Sequence, residues 1–502
     1  MKKIVLVIFL LVQSRVIAQL PSARELQLRL HYIDTLIEKV LKDWQVPGAA
    51  VSVVYKDQVI FEKGFGYRDL DKRLPVTPST CFPIASCTKS FTAALVGIAA
   101  GKKLLDINKP VHDFFPELSF YSPAMTAMVT AKDMMTHRTG LPRHDWVTHG
   151  KQPFSQDTLI RRIRYLEPSG LFRDEAQYCN LMYGMLGELT HKLTGKPWAE
   201  QVKEYIFSPL AMNSSNTGFN DLTRSKEYSL GYVMRRDTLI GRDAGNEGAY
   251  AAGSIISTVQ DMSHWLIAWI NKGMYQGQQV IPAKFTIDAS MPQMSTPSRP
   301  NPNFPSYPDA MFGDFGYGWI IDSYRGHYEV QHSGDLPAFS SHTTFFPTDS
   351  IGIVVLVNRF NATIPELIAH TMADRLLNLP AKDWNGLLYT LQQKRNPPVA
   401  VAPVLAPDTV KKLMRLPLEK YTGTYYHGGY GFIVLAVRDG IFYAIHNDQP
   451  FNFFIKGGDE FDCNVPGGRL TAVMDKKNNV IALKGNFEDG IHEIVFDKQK
   501  EK

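Results

Sequence analysis

The stretch Ile84-Ala85-Ser86-Cys87-Thr88-Lys89-Ser90 opens an alanine-rich helical pattern in this 502-residue chain and contains an S-x-x-K spacing. Residues three apart on a helix share one face, so the Lys89 ammonium would lie within reach of the Ser86 hydroxyl. Free backbone N–H groups at a helix start also favour a developing negative charge beside Ser86. Alone the signal is weak, because a chain of this length contains about one or two such spacings by chance. A helix N-cap is an equally ordinary role for Ser86.

A second element is the tripeptide Tyr178-Cys179-Asn180. In an extended segment alternate residues share a face, so the phenol and the amide turn to the same side. A cation such as Lys89 nearby would lower the pKa of Tyr178 from its ordinary value near ~10 and make the phenol a usable base. A core tyrosine followed by a turn asparagine is the alternative interpretation.

The third element is His332-Ser333-Gly334, which follows a β-type run at Tyr328–Gln331. An edge strand beside a nucleophile binds substrate through its side chains and offers a backbone N–H to the oxyanion. A glycine there lets the substrate backbone approach closely. The alternative is a simple strand-to-turn transition. Each of the three patterns occurs once, and their combination predicts nucleophilic catalysis by Ser86.

The order of predicted elements indicates an α+β fold in which the N-terminal and C-terminal parts of one domain share an antiparallel sheet. A helix precedes a β-hairpin, a helical block follows, and strands with a closing helix come last. Predicted helices lie at Glu25–Trp44, Ser86–Ala100, Leu181–Leu193, Asp261–Trp269 and Ile364–Leu377, and predicted strands at Ala49–Tyr55, Gln58–Phe65, Tyr328–Gln331, His342–Phe346 and Ile351–Val357, the last as a buried central strand.

The sequence also predicts a signal peptide at the N-terminus, and a linker and a second domain toward the C-terminus. Residues 1–18 carry two lysines, an apolar run and a small-residue cleavage site, which is typical of a secretory signal peptide. A catalytic domain at 25–385 is followed by a proline-rich linker at 386–415. Residues 416–502 alternate short β-type runs with turns, as in a small β-barrel. Within that domain, Tyr425–Phe432 is predicted to border the substrate entrance.

Composition narrows the class of protein. The chain is 44% hydrophobic and 21% charged with a net charge of +5, and it has no strongly basic block, so nucleic acid is not an expected partner. No later run is long enough for a membrane span. Four cysteines are too few for a disulfide scaffold and are expected to be mostly buried thiols, although a Cys87–Cys179 bridge is conceivable. His137, His144 and His149 lack a recognised zinc spacing.

With these motifs, the sequence resembles the serine β-lactamase and penicillin-binding superfamily, specifically its class C β-lactamase-related group of esterases, D-amino-acid-specific peptidases and DD-carboxypeptidase-like proteins. The resemblance covers about residues 30–380, and the tail looks like the small, lipocalin-like β-barrel that often follows such domains. It is carried by FPIASCTKSFTAALV at 82–96, AKDMMTHRTGLP at 131–142, PLAMNSS at 209–215, AAGSIISTVQDMSHWL at 251–266, FGYGW at 315–319 and HSGDLPAFSS at 332–341.

The resemblance implies a β-lactamase-like antiparallel sheet flanked by helices, together with an all-helical subdomain. It implies Ser86 as the acylated nucleophile, Lys89 as the cation that tunes it, and Tyr178 as general base and then acid. Asn180, His332, Ser333 and Gly334 would bind substrate, and the backbone N–H groups of Ser86 and Asp335 would form the oxyanion hole. No metal or cofactor is required.

Two departures from the family pattern bear on substrate. His332 stands where many β-lactamases have lysine, and a partly protonated imidazole holds a substrate carboxylate less well. Asp335 and Ala338 stand where the group often has glycine. Asp335 would repel carboxylated ligands, pair with a substrate amine, or be an ordinary solvated turn residue.

We therefore expect an exported serine hydrolase, periplasmic or secreted, that cleaves an amide or ester of a small molecule or peptide through an acyl-enzyme. A D-amino-acid peptidase or an esterase fits best. The alternatives are a β-lactamase or DD-carboxypeptidase acting on β-lactams or peptidoglycan peptides, and a penicillin-binding sensor with slow turnover. The oligomeric state is left open.

Overall fold

The computed structural model describes most of the chain: residues 20–148, 156–218, 225–235, 238–242, 250–296, 313–361, 363–395, 413–438, 441–451, 453–463 and 468–500. The predicted signal peptide, most of the predicted linker and His149 lie outside these ranges. Among the described residues, no helix is long and apolar enough to cross a membrane.

The catalytic part is built on one eight-stranded antiparallel sheet with the order β10-β11-β12-β13-β14-β1-β2-β3. The ends of the domain share it, as the sequence predicted, because β14 pairs with β1 along its whole length. The strands of this part of the chain are β1 (Gly48–Tyr55), β2 (Gln58–Asp69), β3 (Leu74–Pro75), β4 (Phe82–Pro83), β5 (Gly231–Arg235), β6 (Thr238–Arg242), β7 (Ile256–Ser257), β8 (Met274–Tyr275), β9 (Gln278–Gln279), β10 (Asp314–Phe315), β11 (Ile320–Tyr324), β12 (His327–Leu336), β13 (Phe339–Phe346) and β14 (Ile351–Val357).

Helices cover both faces of this sheet. Those before the C-terminal domain are α1 (Ala23–Arg29), α2 (Ile33–Asp43), α3 (Thr88–Gly101), α4 (Pro123–Met128), α5 (Ala131–Met135), α6 (Gln156–Ile163), α7 (Asn180–Thr194), α8 (Trp198–Val202), α9 (Tyr250–Gly253), α10 (Val259–Ile270), α11 (Ala283–Ala289), α12 (Thr363–Leu376) and α13 (Trp384–Arg395), with 3₁₀ turns at Ala85–Cys87, Val111–Asp113 and Asp145–Thr148 and a π-helical turn at Lys203–Phe207.

The apolar run of β14 is explained by burial on both sides. Ile353 and Val355 pack with α1, α2 and α12, whereas Val354 and Leu356 join the core formed with α3 and α10. Because both faces of such a strand are buried, its residues do not alternate between apolar and polar, and its sequence is a continuous hydrophobic run. The expectation of a buried central strand is confirmed.

Three local expectations require correction. The predicted helix at 25–44 is two helices, because Tyr32 adopts a left-handed conformation with φ +64° between them. The segment holding His332 is not an edge strand, since β12 lies between β11 and β13. The start of the predicted linker is helical, because α13 continues to Arg395 and buries Trp384 against Tyr324 and His370.

The C-terminal domain is a nine-stranded antiparallel sheet that curls into a half-barrel, with the order β18-β17-β16-β15-β23-β22-β21-β20-β19. Its core includes buried Tyr421, Tyr425 and Phe496. It comprises α14 (Leu418–Tyr421), β15 (Gly423–His427), β16 (Gly431–Arg438), β17 (Ile441–His446), β18 (Gln449–Phe451), β19 (Phe453–Gly457), β20 (Glu460–Cys463), β21 (Arg469–Met474), β22 (Val480–Asn486) and β23 (Ile494–Lys498).

This domain docks on the catalytic domain through buried side chains. Trp146 lies against His446 and Phe487, with ring centroids 4.8 and 5.2 Å apart. The Tyr430 hydroxyl is 2.7 Å from Nδ1 of His144, and both side chains are buried. Tyr430 is therefore fixed in the interface between the domains, and the expectation that Tyr425–Phe432 borders the substrate entrance stays a prediction.

Candidate active site

Ser86 occupies the 3₁₀ turn Ala85–Cys87, directly before α3. The turn is sharp, since Ala85 has φ +47°, and the Ser86 side chain is partly exposed while its neighbours on both sides are buried. Ser86 does not cap α3, because Cys87 is the N-cap residue and has no capping hydrogen bond. The N-cap interpretation is therefore excluded, and the hydroxyl remains available at the surface of the site.

Lys89 lies one turn further along and is fully buried. Its Nζ donates to the Ser86 Oγ over 3.1 Å and to the Ala252 carbonyl over 3.0 Å. Burial, followed by the nearby charge of Arg143, lowers the pKa of Lys89 to about 7. A lysine with this pKa holds a substantial neutral fraction at neutral pH, and a neutral amine can accept a proton.

Tyr178 lies on the other side of the serine. Its ring centroid is 4.8 Å from Lys89 Nζ, and the Ser86 side chain lies close enough to the phenol to influence its pKa. Burial raises the pKa of Tyr178, and the Ser86 hydrogen bond and the Arg143 charge offset this only in part. The sequence-based expectation of a lowered phenol pKa is therefore wrong. At neutral pH the buried phenol is protonated and can donate a proton.

His137 fixes the segment that carries Tyr178, a role that the sequence analysis missed. Its Nδ1 accepts the Cys179 N–H over 3.1 Å, and its carbonyl accepts the Gln177 N–H over 2.7 Å. Its ring packs on the Tyr178 ring at 4.4 Å. Burial, then the Lys89 charge, holds the pKa of His137 well below its usual value, so the ring is neutral. Its place in the THRTGLP segment was the available signal.

Arg143 and Asp145 form the outer wall beside the tyrosine. Cζ of Arg143 lies 5.2 Å from the Tyr178 ring centroid, and Nε of Arg143 is 2.6 Å from an Asp145 carboxylate oxygen. Asp145 also accepts from the Asn180 amide nitrogen over 3.2 Å. Asn180, the first residue of α7, thus lies near the site as predicted but has one amide hydrogen engaged by Asp145.

The wall is also in contact with the C-terminal domain. Burial and then the Asp145 charge raise the pKa of Glu488 to about 7, and the nearby backbone N–H groups of His144 and Asp145 offset this in part. The half-barrel therefore reaches the segment that flanks Tyr178, although Tyr430 itself points into the interface.

The side chains of β12 alternate between two faces of the sheet. His332 points toward the serine, with its ring centroid 6.3 Å from that of Tyr178. Ser333 points to the opposite face, where its Oγ lies 2.9 Å from Nδ1 of His342 on the paired strand β13. This corrects the expectation that the Ser333 side chain contacts substrate.

Gly334 explains how the strand approaches the nucleophile so closely. A Cβ at this position would lie 2.2 Å from the Ile84 carbonyl oxygen and 2.9 Å from the Ser86 backbone nitrogen. The glycine therefore makes room for the turn that carries Ser86, and not for the substrate backbone as expected. Asp335 follows directly in β12 and is exposed, and its carboxylate accepts from the Ser340 hydroxyl over 2.5 Å, so it is a strand residue and not a turn residue. The oxyanion-hole assignment to the N–H groups of Ser86 and Asp335 stays a prediction.

His332 is a neutral side chain in this setting. It is 3% exposed, and burial together with the Lys89 charge lowers its pKa to about 3. It therefore offers no positive charge to a substrate carboxylate at neutral pH. Ala338 adopts a left-handed conformation with φ +79°, a conformation that glycine adopts more readily than alanine.

Cys81, Cys87 and Cys179 are buried free thiols, as predicted. The conceivable Cys87–Cys179 bridge is absent. Sγ of Cys87 instead contacts the His332 carbonyl at 3.1 Å, and Sγ of Cys179 contacts the Arg143 carbonyl at 3.8 Å. Burial raises the pKa of both thiols, so neither competes with Ser86 as a nucleophile.

The fold and this serine–lysine–tyrosine cluster agree with the comparison against known families. The chain belongs to the beta-lactamase family, whose model matches residues 33–378, more than half of the 502 residues. Members of this family are generally serine hydrolases.

Individual relatives are distant. The chain is 27% identical over 429 residues to an unguisins hydrolase of Aspergillus campestris, covering 79% of this chain and 75% of that protein. It is 27% identical over 347 residues to protein flp of Staphylococcus aureus, covering 67% of this chain and 65% of flp. The octameric penicillin-binding protein homologue from Pyrococcus abyssi superposes with a TM-score of 0.60 at 21% identity, over 92% of this chain and 99% of that one, and supports the fold.

Proposed function

We propose that this protein is a serine hydrolase that cleaves an amide or ester through an acyl-enzyme on Ser86. The observation that carries the proposal is the 3.1 Å contact between Lys89 Nζ and Ser86 Oγ, with the Tyr178 ring centroid 4.8 Å from the same ammonium nitrogen. A nucleophile within hydrogen-bond reach of a base whose pKa is near neutrality is the arrangement that activates an otherwise unreactive serine.

The reaction takes place in two steps. Neutral Lys89 accepts the Ser86 proton while Oγ forms a bond to the substrate carbonyl carbon. The leaving amine or alkoxide departs with a proton from Tyr178, which Lys89 replenishes. Water then attacks the Ser86 ester, one of its protons returns to Oγ, and the free acid is released. We assign the base role to Lys89 and the acid role to Tyr178 because burial shifts the two pKa values in those directions.

The substrate class is the finer part of the proposal. A neutral His332 disfavours substrates held by a carboxylate, which includes common β-lactams and D-Ala-D-Ala ends. A D-amino-acid peptide or an ester is therefore favoured over an antibiotic. The name of the Aspergillus relative, an unguisins hydrolase, is compatible with this assignment.

Two reporters separate this proposal from its alternatives. A p-nitrophenyl ester should show a burst of one equivalent per active site followed by turnover, whereas a fluorescent penicillin should label weakly. Stable penicillin labelling without turnover would instead indicate a sensor, and rapid penicillin turnover a β-lactamase. Ser86→Ala should abolish the burst while far-UV circular dichroism and the melting temperature stay unchanged, because a small, partly exposed hydroxyl contributes little to the core. A normal burst in Ser86→Ala would place the nucleophile elsewhere.

We also propose that the protein is exported to the periplasm or secreted, on the basis of residues 1–18. Mass spectrometry of the protein from its native host should find the mature N-terminus at Gln19. A chain retaining Met1–Ala18 in the soluble intracellular fraction would refute this.

A further inference from the structure

The face of the central sheet that points away from Ser86 contains a fully buried polar cluster formed by Glu329, His342 and His370. These residues come from three elements, β12, β13 and α12, and each is 2% exposed or less. One donor atom of each side chain lies within 4.8 Å of a donor atom of the other two. The cluster has no part in the serine chemistry, because it lies on the other side of β12 from His332.

Most polar atoms of the cluster have a hydrogen-bond partner, but one ring nitrogen of His342 does not among the described residues. Nε2 of His370 is 3.2 Å from a Glu329 carboxylate oxygen, which also accepts from the Thr344 hydroxyl over 2.7 Å. Nδ1 of His342 is engaged by Ser333. Nε2 of His342, however, is buried and has no hydrogen-bond partner among the residues that the structure describes. A buried polar atom without a partner costs free energy, so its persistence requires an explanation.

Further acidic groups surround these three residues. An oxygen of Glu366, one helical turn before His370, is 4.0 Å from Nδ1 of His370. Asp322 on β11 is buried beside Gln331, whose amide nitrogen donates to it over 2.9 Å. Three carboxyl groups and two imidazoles thus converge in a region shielded from water, where a cation would be bound strongly.

We propose that Glu329, His342 and His370 bind one divalent transition-metal ion, zinc in the first instance. Two imidazole nitrogens and a carboxylate oxygen are donors that zinc prefers. Donor atoms around a tetrahedral zinc stand about 3.3 Å apart, and the Glu329–His370 pair already has this separation. His342 reaches the ion by a small inward movement of its ring.

The side chains that hydrogen-bond to the proposed ligands, Ser333 and Thr344, fit this assignment. Metal-bound histidines usually hydrogen-bond through the other ring nitrogen, and the Ser333 hydroxyl is placed to accept from Nδ1 of His342. Thr344 orients the Glu329 carboxylate in the same way. Binding replaces the proton shared by His370 and Glu329, so one proton is released to solvent for each ion taken up.

The ion would be structural. It would tie α12 to the two strands whose opposite face borders Ser86, and it would bind no substrate. Because the site is enclosed, we expect the metal to enter during folding and to leave slowly in the presence of a chelator.

The test is the metal content of the full-length protein, produced without a polyhistidine tag in zinc-supplemented medium and dialysed against EDTA. Inductively coupled plasma mass spectrometry should find about one equivalent per chain in the wild type and less than a tenth of that in His342→Gln. His264→Gln is the matched control, because the His264 ring contacts the Leu210 carbonyl and the Tyr275 ring and lies outside the cluster. Cobalt-substituted wild type should show visible d–d absorption that His342→Gln lacks.

Two further measurements keep the test decisive. If His342→Gln does not fold, Ser333→Ala should retain the fold and show at least a 10-fold weaker zinc affinity against a chromophoric chelator. Folded wild type that holds no metal after refolding in excess zinc overturns the proposal, as does an equal metal content in wild type and His342→Gln. Neither result bears on Ser86, whose burst is measured separately.

Discussion

Polar side chains are arranged differently on the two faces of strands β12 and β13. On the face toward Ser86, His332 is followed by Gly334, which makes room for the turn that carries Ser86. On the other face, Glu329, His342 and His370 crowd together with Ser333 and Thr344. The difference follows from function: polar groups at a catalytic cleft are available to a substrate, whereas those in a closed core bond mostly to one another, with Nε2 of His342 as an exception among the described residues.

This comparison also shows how period-two alternation divides one short motif. His332 and Gly334 share a face, while Ser333 and Asp335 point to the other. A contiguous tripeptide therefore contributes only part of its side chains to the catalytic site. The remainder belongs to the packing of α12 on the sheet.

The largest expected effect is on the serine face. Lys89→Met and Tyr178→Phe should each lower the single-turnover acylation rate by at least about 100-fold, because each removes one proton-transfer partner of Ser86. The double variant should lose far less than the product of the two effects, because the residues act as one unit. Tyr183→Phe is the matched control: its hydroxyl donates to the Met135 carbonyl and not to the serine. Additive losses would contradict the shared role.

The next effect is the pH dependence of acylation. Burial lowers the pKa of Lys89 to about 7, and the base is the unprotonated amine, so the rate should rise with pH and level off above about 7. Below that value it should fall about tenfold per pH unit. Stopped-flow ester kinetics on wild type provide the measurement. A rate that continues to rise well beyond pH 9 would instead indicate a Tyr178 phenolate as the base.

A smaller loss of acylation rate and of stability is expected for a change at Gly334, where β12 meets the turn that carries Ser86. Gly334→Ala should reduce acylation by about tenfold and the free energy of unfolding by ~1–3 kcal/mol, since its Cβ would overlap the Ile84 carbonyl. Gly184→Ala in α7 is the control, because no described atom outside its own stretch of helix lies within 4 Å of its added methyl group. Chemical denaturation and burst amplitude measure the two quantities. An active, stable Gly334→Ala would mean that the strand and turn are further apart than described.

The smallest expected effect on ester turnover concerns Ser333, which lies on the face of β12 that points away from Ser86. Ser333→Ala should change ester turnover by less than about threefold while lowering the free energy of unfolding by ~0.5–1.5 kcal/mol through the lost bond to His342. A large rise in KM with unchanged stability would restore Ser333 to substrate binding.

Much of the architecture could be predicted from local patterns. The 3.6-residue period marked α7, α10 and α12 to within a few residues, and the apolar run at 351–357 marked the central strand. The break at Tyr32 could not be predicted, because a left-handed residue with an ordinary side chain leaves no signal in a continuous helical pattern. The helical start of the predicted linker was missed because proline content dominated that segment.

By itself, the sequence predicted which residues would cluster around Ser86, because they stand in short contiguous motifs: Ser86 with Lys89, then Tyr178 with Asn180, then His332 with Gly334. Tertiary structure alone decided which groups are charged. Burial lowers the pKa values of Lys89 and His332 and raises that of Tyr178, and burial is a property of packing and not of residue type. Only the folded chain brings Glu329, His342 and His370 together, because their spacing in the sequence matches neither a helix nor a strand period. They meet because β12 pairs with β13 and α12 packs on the sheet.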